Sequence, residues 1–493
     1  MVVQESQDTK LTQSDSVCPS QQNRSNTSLS QFSGSSQHFT SNENIYYEPE
    51  EYTETDFLLP NQLYGRSRLT RSPQPKDANV SGAPEESICS MVVQILVPFL
   101  LAGLGTVSAG MLLNIVQSWE VFQEITEILI LVPAVLGMKG NLEMTLASRL
   151  STAVSVNYIF SLFFSFKKLQ ATVLGLLASL MASLLGWMAE GQMPFNHIML
   201  LCSTSVSTAF VASLLQGIVM VGVIIGSKRI GINPDNVATP IAASFGDLIT
   251  LALLACFSQW FYSFIELYPY VLYLVNLSFL CLIPAWVAVS SKHPASEILL
   301  HTGWEPIITA MLISSIGGVI LDKTVLDPNL AGIIVYAPVI NGVGGNLVSI
   351  QSSRISTHLH LKHSPGELPV GRQSCSNPWH TFFGSGANHR SAKILLLLVI
   401  PGQLIFLHAI HLIKGGHTLP SPLFTIAFLF ASLIQVLILL CMADCLVHCL
   451  WRRGKDPDSY SIPYLTALGD LLGTALLSIA FLMLWCIGDS GSV

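Results

Sequence analysis

The chain of 493 residues is 51% apolar and only 11% charged, with a mean hydropathy of +0.55, which excludes an ordinary soluble globular protein and predicts a polytopic membrane protein. A net charge of −7 gives no indication of a nucleic-acid partner. It says little more, because in a membrane protein the placement of Lys and Arg matters more than their sum.

Residues 1–90 are rich in Ser, Gln, Asn and Thr, poor in aliphatics, and lack the basic start and apolar core of a signal peptide. A disordered cytosolic tail is expected. Within it "ETDFLLP" places Glu54 four positions before Leu58 and Leu59, the pattern of a dileucine sorting signal, which acidic tails also produce by chance.

From residue 91 onward, apolar runs of the roughly 20-residue length that crosses a bilayer core recur with short polar breaks. Eleven spans are predicted, at 92–116, 121–139, 169–188, 198–226, 237–262, 270–290, 305–323, 330–350, 392–413, 421–449 and 461–487. The second and eighth are interrupted by Gly, Pro and Asn. Placing the tail inside gives the inner loops fourteen basic residues: Arg149, Lys167, Lys168, Lys228, Arg229, Lys292, Arg354, Lys362, Arg372, Arg390, Lys393, Arg452, Arg453 and Lys455. The outer loops then carry Lys323 and Lys414 alone. This asymmetry predicts a cytosolic N-terminus and, with an odd number of crossings, an extracellular "GDSGSV" end in a multi-pass protein of the cell membrane. The sequons at Asn23, Asn26 and Asn79 would then never meet the glycosylation machinery.

The chain repeats itself, and repeats take precedence over single motifs. "PAVLGMKGNLEMTLASRLST" from Pro133 returns without a gap as "PVINGVGGNLVSIQSSRIST" from Pro338. "GINPDNVATPIAASFGDLITLALL" from Gly231 returns as "GKDPDSYSIPYLTALGDLLGTALL" from Gly454, so Asp247 falls on Asp470. A weaker echo links "PFLLAGLGTVSAGMLLN" from Pro98 with "PIITAMLISSIGGVILD" from Pro306. The expected architecture is all-α: a tail (1–90), a first five-helix repeat (91–262), a linker helix with its loop (263–304) and a second five-helix repeat (305–493). One linker crossing makes the repeats parallel, related by a pseudo-two-fold axis along the membrane normal, with a site at their interface near the midplane on broken helices.

A carboxylate at the centre of a bilayer costs roughly 2.5–3.5 kcal/mol or more, so an intramembrane acid marks a functional site by default. Asp247 and Asp470 could face each other across the axis, where they would repel unless a cation neutralised both. A helix–helix hydrogen bond, at about 0.6 kcal/mol on average in membranes, would not offset two such acids. A divalent ion fits the charge count. Further ligand or supporting candidates bear oxygen: Asn141 and Asn346, the backbone carbonyls at Gly140 and Gly345, and Thr239 or Thr466 at helical spacing from the aspartates. Asn141 and Asn346 could instead cap a broken helix. An all-oxygen site with few carboxylates suits a hard ion, Mg²⁺ above all, which keeps several of its waters.

Soft-metal chemistry has weaker support. Cys441, Cys445 and Cys449 share a helix face, where a soft metal site is conceivable but plain helix packing explains them better, and no CxxC pair is present. His358, His360 and His363 in "STHLHLKH" are read as a solvated cytosolic loop. Asp235 and Asp458 in "NPDN" and "DPDS" serve equally as attractors at the inner mouth or as helix N-caps. Arg149 and Arg354 are read as topological anchors.

The paired motifs "KGNLEMTLASRLST" and "GGNLVSIQSSRIST", with "FGDLITLALL" and "LGDLLGTALL", resemble the solute carrier family 41 magnesium transporters, relatives of the bacterial MgtE channel. The resemblance covers nearly everything after residue 90. It implies that each repeat is one MgtE-type membrane domain, the single chain standing in for the bacterial homodimer, so that no obligate homodimer is needed. It further implies that Asp247, Asp470, Asn141 and Asn346 line the ion path. The implied function is transport of divalent cations, chiefly Mg²⁺, as a channel or coupled to Na⁺, with no resident cofactor and no catalysis. Two departures stand out. Residues 153–168 are short and apolar where a longer charged loop is expected, and Asn114 stands where an acid is expected at the outer mouth, as Asp322 does in the second half. The polar tail is too short for the soluble magnesium-sensing domains of the bacterial channels. Two other classes remain open: a zinc or other transition-metal transporter, although no His-x-x-x-Asp or His-x-x-x-His pair lies in a span, and an intramembrane aspartyl protease. Ser244 and Ala467 stand where the first Gly of the protease GxGD motif belongs.

Overall fold

A chain that spans a bilayer must satisfy its backbone hydrogen bonds internally, and every regular element among the described residues is helical. The computed structural model describes residues 88–152, 156–191, 193–230, 234–265, 267–291, 304–330, 332–362, 366, 381–383, 387–415 and 421–488. The tail with its dileucine pattern and sequons, and His363, lie outside the described residues, as do the side chains of Arg149, Asp235 and Thr239.

There are twelve helices among the described residues: α1 (Ile88–Val116), α2 (Glu120–Glu124), α3 (Glu127–Thr152), α4 (Val156–Glu190), α5 (Phe195–Ile230), α6 (Pro234–Ile265), α7 (Tyr270–Ser290), α8 (Trp304–Val325), α9 (Ile333–Lys362), α10 (Ala387–Ile413), α11 (Pro422–Arg452) and α12 (Pro457–Ile487). Ten are long and apolar enough to cross a membrane, so the chain is a multi-pass membrane protein. Helix α3 is comparably long but carries Glu127, Lys139, Glu143 and Arg149. With α3 the long helices among the described residues number eleven, against eleven spans expected from the sequence, of which ten meet the length and apolarity of a membrane span.

Several boundaries differ from the sequence reading. The expected second span, 121–139, divides into the short α2 and the start of α3, and α3 then continues to Thr152. The eighth, 330–350, continues to Lys362. Neither helix is broken. Gly140, Asn141, Gly345 and Asn346 all lie within continuous helix, so the carbonyls of Gly140 and Gly345 are not freed by a break, and the two asparagines do not cap one. The reason is burial. A helix enclosed by protein need not be apolar throughout, and α9 is the most enclosed of the candidate spans. His358 and His360 consequently sit on α9 rather than in a loop. Most of the apolar segment 153–168 is likewise helical, forming the start of α4. At 35 residues, α4 is about 50 Å long, well beyond the roughly 30 Å hydrocarbon core.

The first helix of each repeat packs on the opposite repeat. Helix α1 lies against α9 and α10, while α8 lies against α3 and α4. Each also packs on an aspartate-bearing helix, α1 on α6 and α8 on α12. Two glycines allow this. Gly110 of α1 faces the Val335 carbonyl of α9, and Gly318 of α8 faces the Ile130 carbonyl of α3, where a Cβ would stand 2.6 Å from the oxygen. The four residues correspond in the repeat alignment, Gly110 to Gly318 and Ile130 to Val335. Helix association in lipid relies on such close backbone packing rather than on a hydrophobic drive. The linker helix α7 rests on α4 and α5 and is the least buried span.

Gly318→Ala should therefore lower the thermal stability of the detergent-solubilised protein by about 1–3 kcal/mol, the usual cost of overpacking. Gly222→Ala, where a Cβ meets nothing within 4 Å, should leave it unchanged or raise it.

Candidate functional site

The helices that cross in this way border a partly open cavity of about 100 Å³, room for roughly three waters. Its wall draws on α1, α3, α6, α8, α9 and α12. Asp247, Asp470, Asn141, Asn346, Gly140, Gly345 and Thr466 all line it, so seven of the eight residues singled out in the sequence meet around one space. The eighth, Thr239, is on α6, and its side chain lies outside the described residues. The geometry follows from helical spacing. Pro133, Gly137, Gly140 and Asn141 fall on one face of α3, and Pro338, Gly342, Gly345 and Asn346 on the matching face of α9.

The glycines set the width of the cavity. A Cβ at Gly140 would meet nothing within 4 Å, and one at Gly345 would first meet Thr466 at 3.7 Å. Gly137 sits closer to its neighbours: a Cβ there would stand 2.7 Å from Ser314 Oγ and 3.2 Å from Asp470 Oδ2. Asp470, from the second repeat, thus faces α3 of the first.

Hydroxyls and amides hold the acidic helices in place. Ser314 Oγ donates to Asp470 Oδ2 at 3.0 Å, and Thr466 Oγ1 lies 3.0 Å from Asn141 Oδ1, joining the two repeats directly. The same Thr466 hydroxyl reaches its own helix at Ile462 O, 3.0 Å, and Pro463 O, 3.1 Å. It has one proton for three acceptors.

Two glutamines absent from the sequence reading complete the frame. Gln216 Nε2 donates to Gly246 O at 2.7 Å and Gln435 Nε2 to Gly469 O at 2.9 Å. Each bonds the carbonyl immediately before an aspartate. The signal was in the sequence, since "ASLLQGIV" from Ala212 returns as "ASLIQVLI" from Ala431. Lys139 was also passed over. It is 1% exposed, one residue before Gly140, among the largest fully buried side chains. Asn341 of α9, a further wall residue, was missed as well.

Other expectations are corrected. Asp322 is not an open outer-mouth charge but is 1% exposed, with its carboxylate 3.8 Å from Lys323 Nζ. Its counterpart Asn114 accepts from Gln117 Nε2 at 2.9 Å. At the start of α12 the N-cap is Asp456, which accepts from the Asp458 backbone N–H; Asp458 itself lies in the first turn. His360 Nε2 is 3.9 Å from the Asp456 carboxylate, and its ring stands edge-on to Trp451. Nearby, the Glu305 carboxylate, 3.1 Å from Lys455 Nζ, holds that ammonium above its ordinary pKa. Cys441, Cys445 and Cys449 are half-buried and not in disulfides, and among the described residues no group of three His, Cys, Asp or Glu side chains is arranged to hold a metal.

The MgtE family, described as "Divalent cation transporter", matches the chain at residues 132–257 and 337–480, one segment in each repeat. The chain is 64% identical over 415 residues to solute carrier family 41 member 2 of Mus musculus, covering 82% of this chain and 72% of that protein. The Homo sapiens member 2 is 63% identical with the same coverage. Member 3 of Rattus norvegicus is 46% identical over 429 residues, covering 85% of this chain and 91% of the relative. No solved structure matches the chain.

Because Gly140 opens onto empty space, Gly140→Leu should fold normally, helped by a helix-propensity gain of up to about 1 kcal/mol, yet fill the cavity. Melting temperature and cation uptake measured on the same preparation should separate, the first unchanged and the second lost.

Proposed function

The chain belongs to the MgtE-type divalent cation transporters of solute carrier family 41, and from that premise we propose that it carries Mg²⁺ across the bilayer through the cavity between its two repeats. It is a transporter rather than an enzyme. The observation that carries the proposal is that Asp247 and Asp470, the repeated intramembrane acids, line the same space. Two carboxylates balance one divalent ion, and an ion between them removes the repulsion that would otherwise raise the pKa of one acid. The remaining polar wall is amide and hydroxyl, without His or Cys. That donor set favours a hard ion which retains several waters over zinc.

In this mechanism the aspartates attract and neutralise the ion, the asparagine amides replace part of its hydration, and Gly140 and Gly345 keep the path wide enough for a partly hydrated species. Gln216, Gln435 and Ser314 fix the aspartate helices, so the carboxylates need not reorganise when the ion arrives. The two repeats act as a parallel pseudo-dimer. Both acids come from one chain, and a monomer suffices to build the path. The basic residues of the loops support an orientation with the N-terminus in the cytosol and the C-terminus outside, in a protein assigned here to the cell membrane. Flux into proteoliposomes under imposed Na⁺, H⁺ and voltage gradients assigns the coupling: uptake that tracks the Na⁺ gradient selects an exchanger, and uptake that tracks voltage alone selects a channel.

Asp247→Asn and Asp470→Asn should each reduce initial Mg²⁺ uptake by roughly ten-fold or more at matched surface expression, since loss of one charge leaves a single carboxylate to compete with water for the ion. Because both acids serve one ion, the double variant should be little worse than the weaker single. Losses that multiply would mean two separate paths. A tag ahead of residue 90 should be protected in intact cells and one after Val493 exposed; both tags on one side would contradict the orientation.

A further inference from the structure

The ties between the repeats differ on the two sides of the cavity. Thr466 Oγ1 of α12 lies 3.0 Å from Asn141 Oδ1 of α3. The mirrored pair would join α6 to Asn346 of α9, but the repeat alignment puts Ala243, a residue without a hydroxyl, where Thr466 stands. Helix α12 packs on α3, whereas among the described residues α6 makes no comparable contact with α9. The glycines show the same inequality. A Cβ at Gly345 would meet the Thr466 methyl at 3.7 Å, while one at Gly140, its counterpart, would meet nothing within 4 Å.

The two asparagines are consequently held differently. Asn141 is 2% exposed, and its Nδ2 is buried with no hydrogen-bond partner. Whether the Thr466 hydroxyl donates to Oδ1 or accepts from the amide turned over, one end of Asn141 is held and the other is shut off from the cavity. Asn346 lines the cavity and is only half-buried, and among the described residues no hydrogen bond engages its side chain. The hydroxyls beside the acids differ in a related way. Ser314 donates to Asp470 Oδ2 at 3.0 Å, but its counterpart Thr106 donates to Gly103 O at 2.9 Å, on its own helix. Helix α12 is thus tied across the cavity by two hydroxyls whose equivalents in the first repeat are absent or spent elsewhere.

We propose that Thr466 is a positioning residue: it withdraws the Asn141 amide from the ion and leaves Asn346 to supply the amide ligand, so that the path is open on one side only. The proposal rests on the reading of the cavity as the transport path, and narrows it from two amides to one. An amide oxygen is a ligand that hard divalent ions accept, but an amide already bonded across an interface must break that bond before it can ligate. Duplication supplies two asparagines, and the difference between Thr466 and Ala243 selects one of them.

The test uses the full chain in proteoliposomes, with initial Mg²⁺ uptake followed across Mg²⁺ concentration and melting temperature read on the same preparations. Ala243→Thr, which installs the second tie, should raise KM by roughly ten-fold or more, the usual effect of altering a group that orients a ligand. Thr466→Val keeps the shape but removes the hydroxyl, releasing Asn141 as a second amide, so KM should fall and maximal rate with it. Thr466→Ser, which restores the hydroxyl, should restore wild-type KM. In an Asn346→Ala background Ala243→Thr should have no further effect on KM, because it acts through that amide. Shifts of opposite sign at the two equivalent positions would support the proposal, since a purely structural threonine would cost stability without inverting KM. Should Ala243→Thr fail to fold, Thr466→Val and Thr466→Ser decide between them. A KM in Thr466→Val equal to or above that of the wild type, with uptake lost in Asp247→Asn and Asp470→Asn, would overturn the positioning role and leave the path standing. Normal uptake in both aspartate variants would instead remove the path on which that role rests.

Discussion

The arrangement depends on two points where a helix backbone meets another helix's carbonyl with no side chain between them. Gly110 against Val335, and Gly318 against Ile130, bring the first helix of each repeat onto the second helix of the other. Within lipid there is little hydrophobic gain in joining two apolar helices, so adhesion comes from the closeness of packing. These crossings hold α3 and α9 in the interior. They also explain why both helices stay continuous through glycine, proline and asparagine: neighbours on several sides enforce the helical path that the local sequence would not sustain alone.

The acidic residues inherit their precision from that frame. Asp470 is bonded by Ser314 of α8 and faces Gly137 of α3, so its carboxylate is held by two helices other than its own. Gln216 and Gln435 act one residue earlier, on the carbonyls of Gly246 and Gly469. On the proposed reading of the cavity as the ion path, such support means that groups already in place need not be ordered at the moment of binding. The buried Lys139 beside Gly140 belongs to the first repeat alone, its counterpart in the second being Gly344.

Much of this was legible in the chain because duplication acts as an internal control. Asp247 and Asp470, Asn141 and Asn346, and Gly140 and Gly345 stand out by recurring in matched contexts, and helical spacing then places each set on one face. The lengths of α3 and α9 were not legible. Charged and small residues lower hydropathy, and a window measure cannot tell a helix shielded by protein from a loop. The exchange of first helices was hidden for a different reason, since periodicity says which face is buried and not which neighbour buries it. Gln216 and Gln435 sit in a repeat too short to attract notice. Thr466 stood out by its spacing and not by its tie to Asn141, because a search for repeats rewards agreement, and the role proposed for it lies in disagreement with Ala243.

That disagreement bears on what a fused chain can become. A pair of identical subunits must place the same residue on both sides of its axis, so any improvement on one wall is imposed on the other, wanted or not. Joining two copies through one extra crossing, the lipid-facing α7, lifts that obligation. Each wall can then be altered singly, and a pathway that began with mirrored sides is free to acquire a front and a back.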